Sequence, residues 1–298
     1  MRYVLAGASG FLGRALHADL ARAGHDVIRL VRRTPQSPHE SQWDPAHDQV
    51  DPGVLADADA VVNLAGANIG RIPWTAAYRQ TIRTSRITTT STLANVLAGL
   101  PEPPVFVAQS AIRYYGEGRG DEELTEDSLP GRGFLAGVVR EWEEATSPAE
   151  RAGVRVVRLR TGVVVDRSGG AFPLIAAPFR LGLGGRLGSG QQYMGMISLT
   201  DWLAAVRFVV ERPGCQGAYN LTLPEPPTNA EFTQALGAAL KRPTPAPVPA
   251  FVLRTVLGGF SIELLDGLRI LPSRLLEAGF TFTAPDVASA VAAALHRS

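Results

Sequence analysis

Short apolar runs alternate with stretches of helical periodicity along the first 165 residues of the chain. The runs predict five buried strands, at residues 3–6, 26–31, 59–66, 105–108 and 154–160. Between them, apolar side chains recur every three or four positions, as at Leu12, Leu16 and Leu20, which predicts helices. Because strands and helices alternate, we expect an α/β fold built on a doubly wound parallel sheet.

A glycine-rich turn connects the first strand to the first helix. Its sequence is Gly7-Ala8-Ser9-Gly10-Phe11-Leu12-Gly13, with three glycines at G-x-x-G-x-x-G spacing. Glycine permits the tight turn, the approach of a phosphate to the backbone and the packing of helix on strand. The turn therefore predicts a Rossmann-type site for a dinucleotide pyrophosphate at the positive end of the helix dipole. The alternative is an ordinary strand-to-helix turn made of small residues.

Two arginines follow the second predicted strand, where an acidic residue would bind the 2′-hydroxyl of NAD. Arg32 and Arg33 occupy that position here. Guanidinium groups pair with a phosphate through two hydrogen bonds, whereas a carboxylate would repel it. We therefore expect NADP(H) as the cofactor rather than NAD(H). The alternative is that both arginines face water beyond an edge strand.

After residue 165 the chain becomes richer in glycine and in helical periodicity. Residues 168–190 predict a substrate-side excursion, and Thr228 and Glu231 have capping-box spacing at the start of a helix. Apolar positions after residue 250 predict a helical tail, and they comprise Phe251, Val252, Leu253, Val256, Leu257, Leu264, Leu265, Leu268 and Leu271. The expected units are a nucleotide-binding domain at 1–165 with 195–225 returning to it, substrate-side segments at 166–248, and a smaller, mainly helical C-terminal domain at 249–298.

Polar side chains follow the central predicted strand at residues 105–108. Ser110, Tyr114 and Tyr115 lie there, and in open α/β sheets ligands bind at the carboxyl ends of strands. These three residues are the candidate catalytic residues, although tyrosines in such a place also pack as wall residues with satisfied hydroxyls. On the helix at 75–98, Arg83, Ser85 and Arg86 have two open interpretations, a solvated face or a cofactor contact.

Composition excludes several kinds of site. The net charge of +1 gives no argument for nucleic acid or a membrane surface as a partner. The single cysteine, Cys215, excludes an intrachain disulfide and a cysteine metal cluster. No histidine lies between His47 and His296, so we expect neither a Ser-His-Asp triad nor a histidine metal site. We find no apolar run of membrane-spanning length and no signal-peptide pattern, and we expect a cytoplasmic protein.

Several of these motifs together resemble a known family. Gly7-x-x-Gly10-x-x-Gly13, Asn63-Leu64-Ala65-Gly66, and Ser110 with Tyr115-Gly116 are similar to the extended short-chain dehydrogenases/reductases of the NAD-dependent epimerase/dehydratase superfamily. Further motifs narrow the resemblance to the atypical epimerase family proteins, which have a C-terminal DUF1731-like domain of their own. These motifs are Leu64-Ala65-Gly66-x-Asn68-Ile69, Trp74-Thr75, Ser85-Arg86, Tyr114-Tyr115-Gly116, Thr125-Glu126-Asp127-Ser128, and residues 178–185, 228–232 and 275–280.

The resemblance implies a Rossmann-type domain that binds NADP(H), with a substrate cleft beneath the C-terminal part. The cofactor-binding residues that it implies are Gly7, Ser9, Gly10, Phe11, Leu12, Gly13, Arg32, Arg33, Ala65, Gly66, Asn68, Ser110, Thr161, Gly162 and Val163. Four positions depart from the pattern of the subgroup. They are Asn68, Arg113, Met196 and Ser198, where glutamate, glycine, tryptophan and histidine are usual.

The chain also departs from the catalytic short-chain enzymes. In those enzymes a Tyr-x-x-x-Lys pair follows the serine by about one helix, and the lysine lowers the pKa of the proton-transferring tyrosine. Here no tyrosine lies between Tyr115 and Tyr193, and Lys241 is the only lysine. The corresponding stretch, Phe134-Leu135-Ala136-Gly137-Val138, cannot transfer a proton. We therefore expect that the standard mechanism does not operate.

Two functions remain open. The first is an NADP(H)-dependent oxidoreductase or epimerase that acts on a small carbonyl or sugar-like substrate. In it Ser110 polarises the carbonyl, and Tyr114, Tyr115 or Tyr193 donates the proton, with Arg113 or Arg160 in place of the lysine. The second is a non-catalytic NADPH sensor or scaffold, which the missing pair favours. The apolar tail offers a surface for a homodimer or another partner, and no basic stripe with interleaved aromatics indicates nucleic-acid binding.

Overall fold

The computed structural model describes residues 1–71, 73–244, 247–248 and 266–296. The strands are β1 (Arg2–Ala6), β2 (Asp26–Val31), β3 (Glu40–Asp44), β4 (Gln49–Val50), β5 (Ala60–Asn63), β6 (Val105–Ala111), β7 (Glu123–Leu124), β8 (Val156–Thr161), β9 (Val163–Val165), β10 (Met196–Ser198), β11 (Gly217–Leu221) and β12 (Arg269–Ile270). Eight of them form one sheet in the order β11-β8-β6-β5-β1-β2-β3-β4. Its pairings are parallel except for the antiparallel pair of β3 and β4.

Helices cover both faces of this sheet, which confirms the expected α/β fold. They are α1 (Phe11–Arg22), α2 (Pro52–Ala56), α3 (Ala76–Ala98), α4 (Phe134–Glu144), α5 (Ser147–Arg151), α6 (Phe172–Arg180), α7 (Leu199–Glu211), α8 (Asn229–Leu240), α9 (Ser273–Glu277) and α10 (Val287–His296). Leu16 and Leu20 of α1 pack with α7 on one face, and Leu93 and Leu97 of α3 pack on the other. None of the described helices is long and apolar enough to cross a bilayer.

The strand order reverses at β1, and this reversal positions the site. The chain goes from β1 to its neighbour β2 on one side, and returns to pair β5 with β1 on the other. Connections leave on opposite faces at such a point, so a crevice opens at the carboxyl ends of the strands. Buried apolar side chains on both faces, such as Tyr3 and Val4 of β1, make the sheet a rigid floor for that crevice.

A smaller unit has a core of its own. Strands β9 and β10 pair in parallel, and α6, α8 and α10 contribute apolar side chains to the cluster that packs against them. Its members are Val165, Phe172, Ala176, Phe179, Met196, Leu223, Phe232, Leu236, Ala284, Ala290, Val291 and Ala294. Helix α8 begins with the capping box that the sequence predicted, Thr228 with Glu231. Most of this smaller unit is therefore helical and lies C-terminal to β8.

One buried carboxylate links this smaller unit to α7. Asp201 is fully buried and accepts hydrogen bonds from the Thr283 backbone N–H and hydroxyl, at 2.8 and 2.6 Å, and from the Ala284 N–H at 3.0 Å. The Ser198 hydroxyl, which also caps α7, donates to Asp201 at 2.8 Å. A carboxylate that is satisfied in this way fixes the C-terminal segment to the sheet domain.

The predicted helical tail is described only in part, and there it is not continuous helix. Residues 251–265, which include Phe251, Val252, Leu253, Val256, Leu257, Leu264 and Leu265, lie outside the described residues. Leu268 and Leu271 flank β12, which pairs with β7, so the helical prediction is wrong at these two positions. The exposed edge of β7 supplies backbone partners, and Leu268 buries its side chain against the cluster of Ile112, Tyr115 and Leu124.

Candidate functional site

A first cleft of about 1090 Å³ opens at the carboxyl ends of β1, β2 and β5. Its walls are the glycine turn after β1, the end of β2 and one side of α3. Of the residues that the sequence predicted to bind the cofactor, Gly7, Ser9, Gly10, Arg32, Arg33, Ala65 and Gly66 line it. The structure therefore brings the turn, the two arginines and the end of β5 around one space.

The three glycines of the turn are required for different reasons. Gly7 has a φ of +80°, and a Cβ there would lie 2.6 Å from the Leu64 carbonyl carbon. A Cβ on Gly13 would overlap the Gly7 carbonyl oxygen and lie 2.8 Å from the Ala8 Cα. Packing within the chain thus explains Gly7 and Gly13. A Cβ on Gly10 would meet only the Gly7 carbonyl oxygen, at 3.4 Å, so the bare backbone at Gly10 leaves open space in the cleft.

The open space lies at the N-terminus of α1. Gly10 is the N-cap and provides no side-chain cap, and the first turn of α1 contains no acidic residue. The first backbone N–H groups of a helix have no intrahelical acceptor, so an anion satisfies them. The Arg14 guanidinium donates to the Ser9 carbonyl oxygen at 2.5 Å and adds positive charge beside the turn. A dinucleotide pyrophosphate fits this set of donors.

The two arginines after β2 differ in their surroundings. Arg33 donates two hydrogen bonds to Glu40, at 2.8 and 2.7 Å, and Arg29 lies 2.9 Å from the same carboxylate. These Arg33 hydrogen bonds lower the pKa of Glu40 to about 2, so Glu40 stays ionised. Arg32 is exposed and forms no ion pair with any described residue. Arg32 is therefore the guanidinium that is available for a 2′-phosphate.

Polar residues of α3 complete the first cleft. Its lining includes Thr81, Thr84, Ser85, Thr88 and Thr89. Ser85, which the sequence left open between a solvated face and a cofactor contact, lies in the cleft wall. The four threonines were not predicted, because helical spacing places them on one side of α3 but does not show that this side faces the crevice. Trp43, Pro45 and Ala46 form the apolar end of the cleft near β3.

A second cleft of about 380 Å³ adjoins the first. Leu64, Ala65 and Gly66 line both, so the end of β5 is the boundary between the two spaces. Six more of the predicted cofactor residues line the second cleft: Phe11, Leu12, Ser110, Thr161, Gly162 and Val163. The two that line neither cleft are Gly13, which packs inside the turn, and Asn68. The predicted cofactor residues are thus divided between two neighbouring clefts.

Asn68 does not line either cleft. Its side-chain oxygen accepts from the Gly70 backbone N–H at 2.9 Å, within an exposed loop after β5. Its carbonyl oxygen accepts from the Tyr78 hydroxyl at 2.5 Å. The structure thus places Asn68 in the loop above the site rather than in its wall.

Helix α4 presents an apolar wall to the second cleft. Leu135, Val138, Val139 and Trp142 are the α4 residues that line it. Leu135 and Val139 have the four-residue spacing of a Tyr-x-x-x-Lys pair, as do Phe134 and Val138. Neither pair contains a side chain that transfers a proton. The Trp142 indole N–H donates to the Thr90 hydroxyl at 3.0 Å, so it too is committed to a buried partner.

A buried network of charged and polar groups lies behind this wall. The Ser110 hydroxyl donates to Glu143 at 2.6 Å, and Glu143 accepts two further hydrogen bonds from Arg160, both at 2.9 Å. Arg160 also donates to the Tyr115 hydroxyl at 3.1 Å, and that hydroxyl donates to the Asn220 side-chain oxygen at 2.7 Å. Ser110 is therefore in the cleft wall, but its proton is directed away from the cleft.

The two tyrosines after β6 belong to the network rather than to the cleft. Tyr115 is fully buried, and burial raises its pKa to about 12 in spite of the neighbouring Arg160. The Arg160 guanidinium stacks on the Tyr114 ring, 3.5 Å from its centre. Neither Tyr114 nor Tyr115 lines the second cleft, whereas Tyr193 does. Among the described tyrosines, Tyr193 is the one placed to contact a ligand there.

The loop before α6 contacts the glycine turn through Phe11. A Cβ on Gly169 would lie 2.5 Å from the Phe11 ring, and one on Gly170 would lie 3.0 Å from it. The phenyl ring therefore packs flat on two glycines of the loop before α6. Gly170 and Phe11 both line the second cleft, so this contact connects the wall of the second cleft to the glycine turn.

Arg86 lines the second cleft on the α3 side, next to the boundary with the first. Its side chain lies against Gly66, where a Cβ would be 3.3 Å from the Arg86 Cγ. The guanidinium donates to the carbonyl oxygens of Ile82, at 2.9 Å, and Ala67, at 3.2 Å, and stacks on the Trp142 ring. Arg83, one turn earlier, instead forms an exposed ion pair with Glu141.

Comparison with known sequences identifies relatives over nearly the whole chain. Residues 3–221 match the NAD dependent epimerase/dehydratase family, and residues 248–294 match a domain of unknown function, DUF1731. The chain is 46% identical over 279 residues to an epimerase family protein of Mycobacterium tuberculosis, covering 93% of this chain and 92% of the relative. It is 36% identical over 297 residues to the human epimerase family protein SDR39U1, with 98% of each chain covered.

Solved structures give the same result. The crystal structure of human SDR39U1 (isoform 2) with NADPH superposes with a TM-score of 0.89, at 34% identity and 99% coverage of both chains. A nucleoside-diphosphate sugar epimerase from Corynebacterium glutamicum has a TM-score of 0.82 at 33% identity, and the match covers 99% of this chain and 58% of that one. These two structures share the fold of this chain over nearly its whole length. The chain belongs to the NAD dependent epimerase/dehydratase family.

Proposed function

We propose that this protein binds NADP(H) across the two joined clefts and takes a small carbonyl or sugar-like molecule in the second. The observation that carries the proposal is the continuity of the clefts at Leu64, Ala65 and Gly66. The pyrophosphate binds at the uncapped start of α1, and the 2′-phosphate binds Arg32. The human relative SDR39U1, 34% identical, was crystallised with NADPH, which supports the same cofactor here.

The second cleft receives the nicotinamide end of the cofactor and the substrate. A bound nicotinamide supplies or accepts a hydride there. The side chains of α4 exclude water from this space, and Thr161, Gly162 and Val163 at the end of β8 let a ring approach the strand ends closely. We assign proton transfer to Tyr193, because Tyr114 and Tyr115 lie outside the cleft wall. Ser110 holds the wall in place through Glu143.

A non-catalytic NADPH sensor or scaffold is the second candidate. The apolar wall of α4 and the commitment of the Ser110 hydroxyl to Glu143 favour it, since both remove the usual proton-transfer groups. On this alternative, NADPH binds and no carbonyl compound is reduced. NADPH oxidation across a panel of aldehydes, ketones and nucleotide sugars separates the two functions.

Replacement of Arg32 with alanine is expected to weaken NADPH binding about tenfold or more and to leave NADH binding unchanged. The reason is the loss of charge-assisted hydrogen bonds to a phosphate that NADH lacks. Isothermal titration with both cofactors measures the effect. Arg22→Ala is the matched control, because Arg22 is an exposed arginine of α1 that pairs with Asp19 away from the clefts.

Two outcomes contradict the cofactor assignment. One is equal affinity of the wild-type protein for NADH and NADPH. The other is an equal loss of both affinities in Arg32→Ala, which would place Arg32 at a group that the two cofactors share. Arg33→Ala tests phosphate binding less cleanly than Arg32→Ala does, because it also removes one of the two arginines that pair with Glu40 and leaves only Arg29.

The Tyr193→Phe variant is expected to lower kcat about 100-fold on any carbonyl substrate that the panel identifies, since it removes the proton donor. Tyr115→Phe is expected to change kcat by less than about threefold and to destabilise the fold by about 1–2 kcal/mol, since it removes buried hydrogen bonds. Steady-state kinetics and urea unfolding measure the two effects. The opposite ranking of kcat in the two variants would return proton transfer to Tyr115.

Two properties stay predictions. A homodimer through the apolar C-terminal tail rests mainly on residues 251–265, which lie outside the described residues. A cytoplasmic location rests on the composition and on the reduced state expected of Cys215, which is buried. Size-exclusion chromatography with light scattering tests the homodimer. Fractionation of the source cells tests the location.

A further inference from the structure

The second cleft contains three charged side chains among its described lining residues, and two of them pair. Arg113 lies 3.7 Å from Asp266 and also donates to the Asp266 carbonyl oxygen. The third, Arg86, has no carboxylate partner in the described part of the chain. The lining of this cleft therefore has one positive charge in excess.

The surroundings of Arg86 make its positive charge energetically unfavourable without an anionic partner. Most of the side chain is withdrawn from water, and this burial lowers its pKa to about 10. Its two hydrogen bonds go to the neutral carbonyl oxygens of Ile82 and Ala67, one from each terminal nitrogen. No described residue accepts a hydrogen bond from the Nε or from the second N–H of each terminal nitrogen, so these groups remain for a ligand of the cleft. A charge that is largely withdrawn from water is normally paired, which favours an anion as that ligand.

The geometry favours a ligand of the second cleft over the phosphates of the cofactor. Arg86 lines the second cleft and does not line the first, where the start of α1 and Arg14 provide the donors for a pyrophosphate. The face of the guanidinium packs on the Trp142 ring, 5.1 Å from its centre. Only the edge of the guanidinium, which carries the N–H groups, is then available to a ligand.

We propose that the second cleft binds a small molecule with a carboxylate group and that Arg86 is its counter-ion. One guanidinium edge matches the two oxygens of one carboxylate, and the single excess charge matches a monoanion. The other walls are largely apolar, so the rest of the molecule is uncharged. This assignment rests on the proposed function in one respect, since that function makes the second cleft the substrate side.

Fluorine NMR titrations with para-fluorobenzoate and its neutral analogue para-fluorobenzamide test the proposal. Each probe is titrated into the full-length protein with and without saturating NADPH. We expect the wild-type protein to bind the benzoate about tenfold or more tightly than the amide, the range of one charge-assisted hydrogen-bond pair. Arg86→Gln removes this preference, and Arg86→Lys keeps part of it. Arg83→Gln, the control on the same helix, keeps it fully.

The same variants are titrated with NADPH alone. Unchanged NADPH affinity in Arg86→Gln, together with loss of the benzoate preference, supports the proposal. A tenfold loss of NADPH affinity in that variant overturns it and assigns Arg86 to the cofactor. Equal affinity of the wild-type protein for both probes, or no binding of either, also overturns it. Failure of the wild-type protein to bind NADPH counts against the proposed function instead, because the titrations without NADPH still report on Arg86.

Discussion

Replacement of Glu143 with alanine is expected to lower the free energy of unfolding by about 3–5 kcal/mol. Glu143 pairs with Arg160, and both side chains are nearly inaccessible, at 8% and 5% exposure. Removal of one partner leaves the other as an uncompensated buried charge, and that penalty exceeds the net contribution of the pair itself. The Ser110 hydroxyl also loses its acceptor. Urea unfolding of the wild-type and variant proteins measures the difference.

A matched control and a double variant identify the cause. The control is Glu141→Ala, because Glu141 lies on α4 like Glu143 but forms an exposed ion pair, with Arg83 of α3. We expect it to lower the free energy of unfolding by less than about 1 kcal/mol. Glu143→Leu combined with Arg160→Met replaces both charges with apolar groups, and it is expected to recover at least half of the loss. If the double variant is no more stable than Glu143→Ala, the loss comes from packing rather than from an unpaired charge.

The sequence predicted the features that depend on neighbouring residues. The apolar runs predicted β1, β2, β5, β6 and β8, and the spacing of Gly7, Gly10 and Gly13 predicted the turn, because backbone conformation and local contacts determine both. The capping box at Thr228 is likewise a contact over three residues. The place of Arg32 in the wall of the first cleft follows from its position directly after β2 in a Rossmann-type sheet.

The orientation of Ser110 and Tyr115 could not be predicted from the sequence. The Ser110 hydroxyl meets an acceptor 33 residues later, and the Tyr115 hydroxyl meets one 105 residues later. Glu143 reaches its place only when α4 packs on the sheet, and Asn220 only when β11 pairs with β8. A motif such as Tyr-Gly after a central strand locates the tyrosine on the chain, but tertiary contacts decide whether its hydroxyl faces the cleft.

Helix α3 presents the same limitation for charged side chains. Arg83 and Arg86 are three residues apart and equally basic, and the sequence left a solvated face and a cofactor contact open for them. In the fold Arg83 reaches solvent and Glu141, whereas Arg86 reaches the second cleft through its contact with Gly66. The two residues lie about one helical turn apart on α3. Which of them faces the cleft depends on how α3 packs against β5 and α4, and the sequence does not show this packing.

The Gly13→Ala variant is expected to destabilise the protein by about 2 kcal/mol or more. Alanine gains about 1 kcal/mol over glycine within a helix, but the added Cβ overlaps the Gly7 carbonyl oxygen and presses on the Ala8 backbone. The second effect dominates, because backbone atoms cannot move aside as the end of a side chain can. The matched control is Gly137→Ala in α4, where a Cβ meets no atom within 4 Å and alanine is expected to stabilise.

The Gly10→Ala variant, in contrast, is expected to change the free energy of unfolding by only about 1 kcal/mol and to weaken NADPH binding about tenfold or more. A methyl group at this position contacts nothing closer than the Gly7 carbonyl oxygen at 3.4 Å, yet it occupies the space before the first N–H groups of α1. Isothermal titration and urea unfolding of the same preparation measure both effects. Unchanged NADPH affinity in a folded Gly10→Ala protein would show that the pyrophosphate does not bind at the start of α1. The two neighbouring glycines therefore separate what the turn does for the fold from what it does for the cofactor.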